Sequence, residues 1–328
     1  MVEKGWERLR KDKNNMRTAL VGYTGFVGSN LAASFEFTDL YNSKNIKDAY
    51  GTEPDILVYA GLPAAMFKAN ANPDADFADI QKSIDNIKEI KPKQIVLISS
   101  VAVYDRTFDV DENHVIDETQ LLPYGKNRLY LERCVAENCD GSLIVRLPAL
   151  YGVNLKKNFI YDFINVIPAM LNEKKYQELA DGDHGELIRS AYQLQDDKFY
   201  HLRATGEEKK GVYEYFSAAS FNAISFTDSR SIYQFYNLGR LWSDIQKALE
   251  NNIRLLNITT EPVSIAEVYK VLAGTDFNNE LAKEPFNYDV RSIHAEKLGG
   301  AGGYLVNKSD ELDDLKAYVV KEKMRIWG

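Results

Sequence analysis

A chain of 328 residues can bury a large core and form one bilobal unit or two domains, and 45% hydrophobic with 27% charged residues is the composition of an ordinary globular protein. The net charge of -8 argues against nucleic acid or an anionic membrane surface as the main partner, and no apolar run reaches membrane-spanning length. Cys134 and Cys139 are too few for a disulfide framework and read as reduced thiols; His114, His184, His201 and His294 are scattered, so no metal site is expected.

Residues 1–16 are polar and rich in Lys and Arg, without a stretch of signal-peptide length. They read as an N-terminal extension of a cytoplasmic protein. The apolar run Thr18 to Val21 then stops at Gly22, two further glycines follow at Gly25 and Gly28, and a helix is predicted from Ser29 to about Phe35. A strand that enters a helix through glycines suits a nucleotide pyrophosphate. Backbone N–H groups and the positive end of the helix dipole face the anion, and no Cβ blocks its approach. The loop residues Thr24, Phe26 and Val27 are candidates for the same contact.

Phe37 to Tyr41 is predicted as a second strand. In dinucleotide-binding folds a carboxylate at its end binds the adenosine ribose. Here Asn42, Ser43 and Lys44 follow; Ser and Lys suit a 2′-phosphate, so the reading leans to NADP over NAD. Further strands are predicted at Asp55 to Gly61, Gln94 to Ser100 and Ser142 to Arg146, with helices at Phe77 to Ile90 and Leu129 to Glu137. Near-continuous apolar strands alternating with helices indicate a doubly wound parallel α/β sheet. Ala60, Gly61, Ser99 and Leu147, at or beside strand ends, are candidate cofactor neighbours.

From about 154 to 225 the alternation is lost, which marks a second, smaller lobe. The sheet pattern returns at Ser231 to Tyr236, followed by a helix at Leu241 to Glu250 and a strand at Arg254 to Ile258. Ser264 and Glu267 form a capping box, Gly299 to Gly303 reads as a flexible loop, and Ser309 is expected to cap the last helix. The expected division is a dinucleotide-binding Rossmann domain at 17–153 plus about 226–262, with a substrate lobe at about 154–225 plus 263–328.

Ser100 stands at a strand end, and Tyr124 and Arg128, four residues apart, share a helix face while Lys126 points away. A fixed cation beside a tyrosine favours the phenolate, which can exchange a proton with a sugar hydroxyl or ketone as hydride moves. The serine can hold the developing oxyanion.

With these residues in view, the chain resembles the extended short-chain dehydrogenases/reductases of the NAD-dependent epimerase/dehydratase family. Gly22, Gly25 and Gly28 match its glycine motif, Ser100 its strand-end serine, and Tyr124 the tyrosine of its Y-x-x-x-K motif. Asp117 to Thr119, Glu132 and Arg146 to Gly152 also follow its pattern. The likeness covers about 17–152 strongly and 231–273 weakly. It implies an NAD(P)-dependent epimerase or keto-reductase acting on a nucleotide-activated sugar, with Tyr124 as acid/base, Ser100 as oxyanion partner, and a homodimer as the assembly. Three departures stand out. Arg128 replaces the family's lysine, which tunes the tyrosine and contacts the nicotinamide ribose; Val101 and Ala102 replace the dehydratases' Asp-Glu pair, which disfavours dehydration; Gly239-Arg240 replaces an Asp-Asp pair. The alternative is a non-catalytic NAD(P)-binding sensor or scaffold that has lost the lysine.

Overall fold

The computed structural model describes residues 16–281 and 283–328; apart from Met16, the expected N-terminal extension lies outside them. The chain divides into two compact units. The first comprises the described residues up to Asn154, with Tyr233–Val263 and Asn287–Leu312; the second comprises Leu155–Ile232, Ser264–Phe286 and Asp313–Gly328. Residues 287–312, expected in the second lobe, therefore lie in the first unit. Leu298 and Val306 join its core, and Val306 bridges to Thr260.

The first unit is built on six strands: β1 (Thr18–Val21), β2 (Asp39–Tyr41), β3 (Ile56–Tyr59), β4 (Ile95–Ser100), β5 (Leu143–Leu147) and β6 (Leu255–Asn257). All pair in parallel, in the order β2-β1-β3-β4-β5-β6. Alternate side chains enter two cores. Leu20, Val58, Val96 and Val145 lie in one, with the helices α1 (Phe26–Ser34) and, later in the chain, Leu241–Glu250; Val21, Tyr59, Leu97 and Ile144 lie in the other, with α2 (Pro73–Ile90) and α3 (Pro123–Asn138). Each fully buried aliphatic side chain contributes about 1.5–3 kcal/mol. Burial on both faces is why the strands read as unbroken apolar runs. The doubly wound α/β architecture expected from the alternation is observed.

Helix boundaries differ where polar residues open a helix. Asn72 caps α2, its side chain accepting from the Ala75 N–H, and Pro73 supplies a pre-set φ, so α2 begins before the first apolar repeat at Phe77. Likewise α3 begins at Pro123, six residues ahead of Leu129, and Tyr124 and Arg128 lie in its opening turns. The stretch expected to rejoin the sheet near Ser231 to Tyr236 does not. Phe235–Asn237 pairs instead with Ala149–Tyr151, outside the central sheet. Gly299 to Gly303 closes on itself through the Ala301–Tyr304 turn, and the Gly303 carbonyl accepts from Thr259 and Ser292. The last helix, Lys308–Trp327, is capped by Asn307, which accepts from the Asp310 N–H at 2.9 Å, rather than by Ser309.

In the second unit Met170–Leu171, Tyr200–Leu202 and Tyr192–Leu194 form an antiparallel sheet. Its helices include Phe159–Asn165, Gly206–Ala218 and Ile265–Ala273, the last opened by the predicted capping box of Ser264 and Glu267. Phe159, Phe163, Tyr269 and Phe277 form an aromatic cluster.

Candidate active site

In an open parallel sheet a ligand site forms beyond the carboxyl ends of the strands, where strand order changes direction. That point lies here between β1 and β3, and the glycine loop occupies it. Gly22 ends β1 with a φ of +92° that L side chains rarely adopt, and donates to the Tyr41 carbonyl at 2.7 Å. A Cβ on Gly28 would come within 2.1 Å of the Gly22 carbonyl oxygen, so glycine there lets α1 start against β1. Gly25 is the exposed N-cap of α1, and no side chain caps the helix. The first-turn N–H groups keep their capacity to bind an anion.

A cavity of about 350 Å³ opens beside this loop. Gly22, Thr24, Gly25, Asn42, Ser43, Ala60 and Gly61 line it, as candidates from the sequence. Phe26, Val27, Gly28, Lys44, Ser99 and Leu147 do not. Phe26 and Val27 pack against the core, and Leu147 belongs to it. Lys44 is exposed, and its N–H serves only to close a turn on the Asn42 side chain, at 2.9 Å. The cation in the cavity wall is instead Lys82 of α2, accompanied by Asp79, Ser83 and Asn86. These four recur at three- and four-residue spacing along one helix face, the only signal in the sequence that could have grouped them.

At the ends of β4 and β5 the site is made of buried charge. Ser99 and Arg146 are register partners. Ser99 donates to Glu132 of α3, and Arg146 donates to both oxygens of the same carboxylate, at 3.1 Å from Nε and 2.6 Å from Nη2. Arg146 also lies 4.8 Å from the Tyr104 ring centroid. Burial pulls the Arg146 guanidinium down, but Glu132 outweighs it and raises the net value. Burial pushes the Tyr104 hydroxyl up, the Arg146 charge opposing it. Ser99, a cofactor candidate from the sequence, is thus engaged with Glu132 instead of lining the cavity.

Ser100 ends β4, and its Oγ accepts from the Ala102 N–H at 3.2 Å. The turn that follows packs on the start of α3. A Cβ on Gly125 would sit 2.1 Å from the Ala102 carbonyl oxygen, so glycine is what allows Tyr124 to approach this strand end. Tyr124 is buried, held through its N–H by Asn70 at 2.9 Å. The Arg128 guanidinium lies 4.0 Å from the Tyr124 ring centroid, the shared face the spacing predicted. It is not a free cation: Nη1 pairs with Asp76 of α2, and Nη2 donates to the Pro63 carbonyl at 2.7 Å. Asp76, Asn127 and Pro63 were not singled out in the sequence. Among the described residues no cluster of His, Cys, Asp or Glu could hold a metal, and no helix is long and apolar enough to cross a membrane.

The sequence matches no protein-family model and no curated protein. Solved structures do match. RMD from Pseudomonas aeruginosa, complexed with NADPH, aligns with a TM-score of 0.62 at 15% identity, over 95% of this chain and 100% of that one. The dTDP-4-dehydrorhamnose reductase from Yersinia enterocolitica gives 0.61 at 13% identity, over 94% and 100%. UDP-glucose 4-epimerase from Thermotoga maritima, with UDP-glucose, gives 0.59 at 12%, over 94% and 99%. The chain therefore has the fold that these three structures share.

Proposed function

We propose that the chain is an NAD(P)-dependent keto-reductase or epimerase acting on a nucleotide-activated sugar. The observation that carries this reading is the meeting of Tyr124 with a fixed guanidinium, 4.0 Å from its ring, on the sheet edge that also holds the glycine loop. The loop fits a dinucleotide: Gly25 is open to solvent, the first turn of α1 is uncapped, and the adjoining cavity joins the loop to the polar side chains of Asn42, Ser43 and Lys82 and the apolar ones of Ile46 and Leu62. When bound, that cofactor supplies or receives the hydride. The first-turn amides of α1 hold the pyrophosphate, and Ser43 with Lys82 faces the adenosine ribose end, which favours NADP. Ser100 Oγ steadies the oxygen that gains negative charge, and the Tyr124 hydroxyl gives or takes the proton. The second unit is assigned to the sugar nucleotide. The protein is proposed to be cytoplasmic and homodimeric.

The relatives in fold support the reading, since one was solved with NADPH and another with UDP-glucose. With Val101 and Ala102 after Ser100, no acidic pair is available there for water loss. A second reading, a non-catalytic NAD(P) binder, draws on the engagement of Arg128 with Asp76 and Pro63. An NMR assay with NAD(H) or NADP(H), nucleotide sugars and 4-keto sugars separates the two. Wild type should give product, and Tyr124→Phe should lower the rate by about 10²–10⁴-fold. Tight dinucleotide binding without product across the panel would favour the binder.

A further inference from the structure

Arg128 occupies the position of a lysine in the family the chain resembles, yet its surroundings are those of a different device. Its side chain is only 3% exposed, and Asp76, its partner, is 6% exposed. Three groups fix the guanidinium at once: the Asp76 carboxylate on α2, the Pro63 carbonyl at 2.7 Å, and the face of the Tyr124 ring at 4.0 Å. Asn127 adds a second donor to the same Asp76 oxygen, at 2.9 Å. A planar guanidinium can bond a carboxylate and a carbonyl from different nitrogens while stacking on an aromatic ring; a lysine ammonium, a point donor, cannot reproduce that set.

The three contacts join two parts of the site. Pro63 ends the segment Ala60 to Pro63 that walls the cavity beside the glycine loop. Tyr124 is the proposed acid/base, and Asp76 ties both to α2. We infer that Asp76 and Arg128 form a positioning pair that couples the cofactor-side loop at Pro63 to the ring of Tyr124, so that a dinucleotide filling the cavity also sets the tyrosine. Arg128 then works through Pro63 and Tyr124 and is not a worn-down ribose-binding lysine. The inference rests on the dinucleotide reading of the cavity.

The test uses NADPH and NADH as probes with the whole chain. Binding is followed by nicotinamide fluorescence and backbone protection by amide hydrogen exchange. In wild type, dinucleotide should slow exchange at Gly61 and Leu62, which precede Pro63, and also at 124–128. In Asp76→Asn and Arg128→Lys, affinity should fall by about tenfold, and protection at 124–128 should be lost while that at 22–28 persists. Tyr124→Phe, which keeps the ring, should bind dinucleotide and protect both segments as wild type does. Because breaking a buried pair can unfold the chain, the double variant Asp76→Leu/Arg128→Met supplies a packed apolar replacement. Its circular dichroism should be native and its segments uncoupled. Equal affinity and equal protection at 124–128 in wild type, Arg128→Lys and the double variant would overturn the coupling while leaving the dinucleotide reading standing. Failure of wild type to bind either nucleotide would overturn that reading and the coupling with it.

Discussion

The two ends of the candidate site are made of different material. At the ends of β1 and β3 the wall is backbone: Gly22 with its positive φ, Gly25 open to solvent, Gly28 against the Gly22 carbonyl, and the small residues Ala60 and Gly61. At the ends of β4 and β5 it is side chain: Ser99, Glu132 and Arg146 in one buried group, Asp76, Arg128 and Tyr124 in another. A backbone wall is fixed by the steric demands of a few local residues. A wall of buried charge stands only while every partner is present, because an ion taken out of water without its partner costs several kcal/mol.

The sharpest test of that difference is Glu132→Ala, which leaves the Arg146 guanidinium buried and removes the acceptor of Ser99. Urea unfolding should show a loss of about 3–5 kcal/mol. A loss below about 1 kcal/mol would mean that water reaches the group and that the contrast between the two walls is false. Gly28→Ala probes the other wall. The new methyl group meets the Gly22 carbonyl at 2.1 Å, so α1 must shift outward, at a cost of about 1–3 kcal/mol. Dinucleotide affinity should fall further than stability does, since the shift displaces the binding amides themselves.

These two walls were also unequally legible. The glycine string and the apolar run that leads into it are local, and the sequence displays both. Tyr124 and Arg128 were legible as a pair because four residues make one helical turn. Their partners were not. Asp76 lies 52 residues from Arg128, and nothing in either neighbourhood announces the other. The opening of α3 was hidden because Tyr124 to Arg128 lacks apolar repeats, and Lys44 drew attention away from Lys82 because sequence shows a charge but not the wall it stands in.

A third buried carboxylate sharpens the role of the partner. Glu311 is 2% exposed, as is Glu132, but no cation pairs with it among the described residues. One oxygen accepts from the Phe235 N–H at 3.0 Å, and the Thr260 side chain stands beside the carboxylate. Burial pushes its carboxyl from 4.5 up to about 8, against the pull of the Phe235 N–H. The folded state therefore holds a proton that the unfolded state has released across this range. Its contribution to stability is fully present below pH 4.5 and is lost as pH rises towards 8. Glu311→Gln keeps the acceptor for Phe235 and carries no charge. At pH 8.5 it should be more stable than wild type by about 1–3 kcal/mol, and below pH 5 the two should converge. Thermal melts across that range would show a constant gap if Glu311 were ionised when folded throughout.

The smallest expected effect falls on the backbone wall, at its one cation. Lys82 makes no ion pair among the described residues and stands in the cavity that Asn42 and Ser43 also line; Asp79, one turn earlier on α2, is the opposing charge. If the ribose 2′-phosphate of NADP lies there, Lys82→Ala should weaken NADPH by about tenfold, close to 1.4 kcal/mol, and leave NADH unchanged. Raising salt should narrow the difference, because the lysine is exposed. Asp79→Asn should move NADPH the opposite way, by removing the like charge. An equal loss of both nucleotides in Lys82→Ala would instead put the lysine against a group they share, the pyrophosphate or the adenine. Selectivity would then fall to Asn42 and Ser43, the other polar residues at the end of β2 that line the cavity.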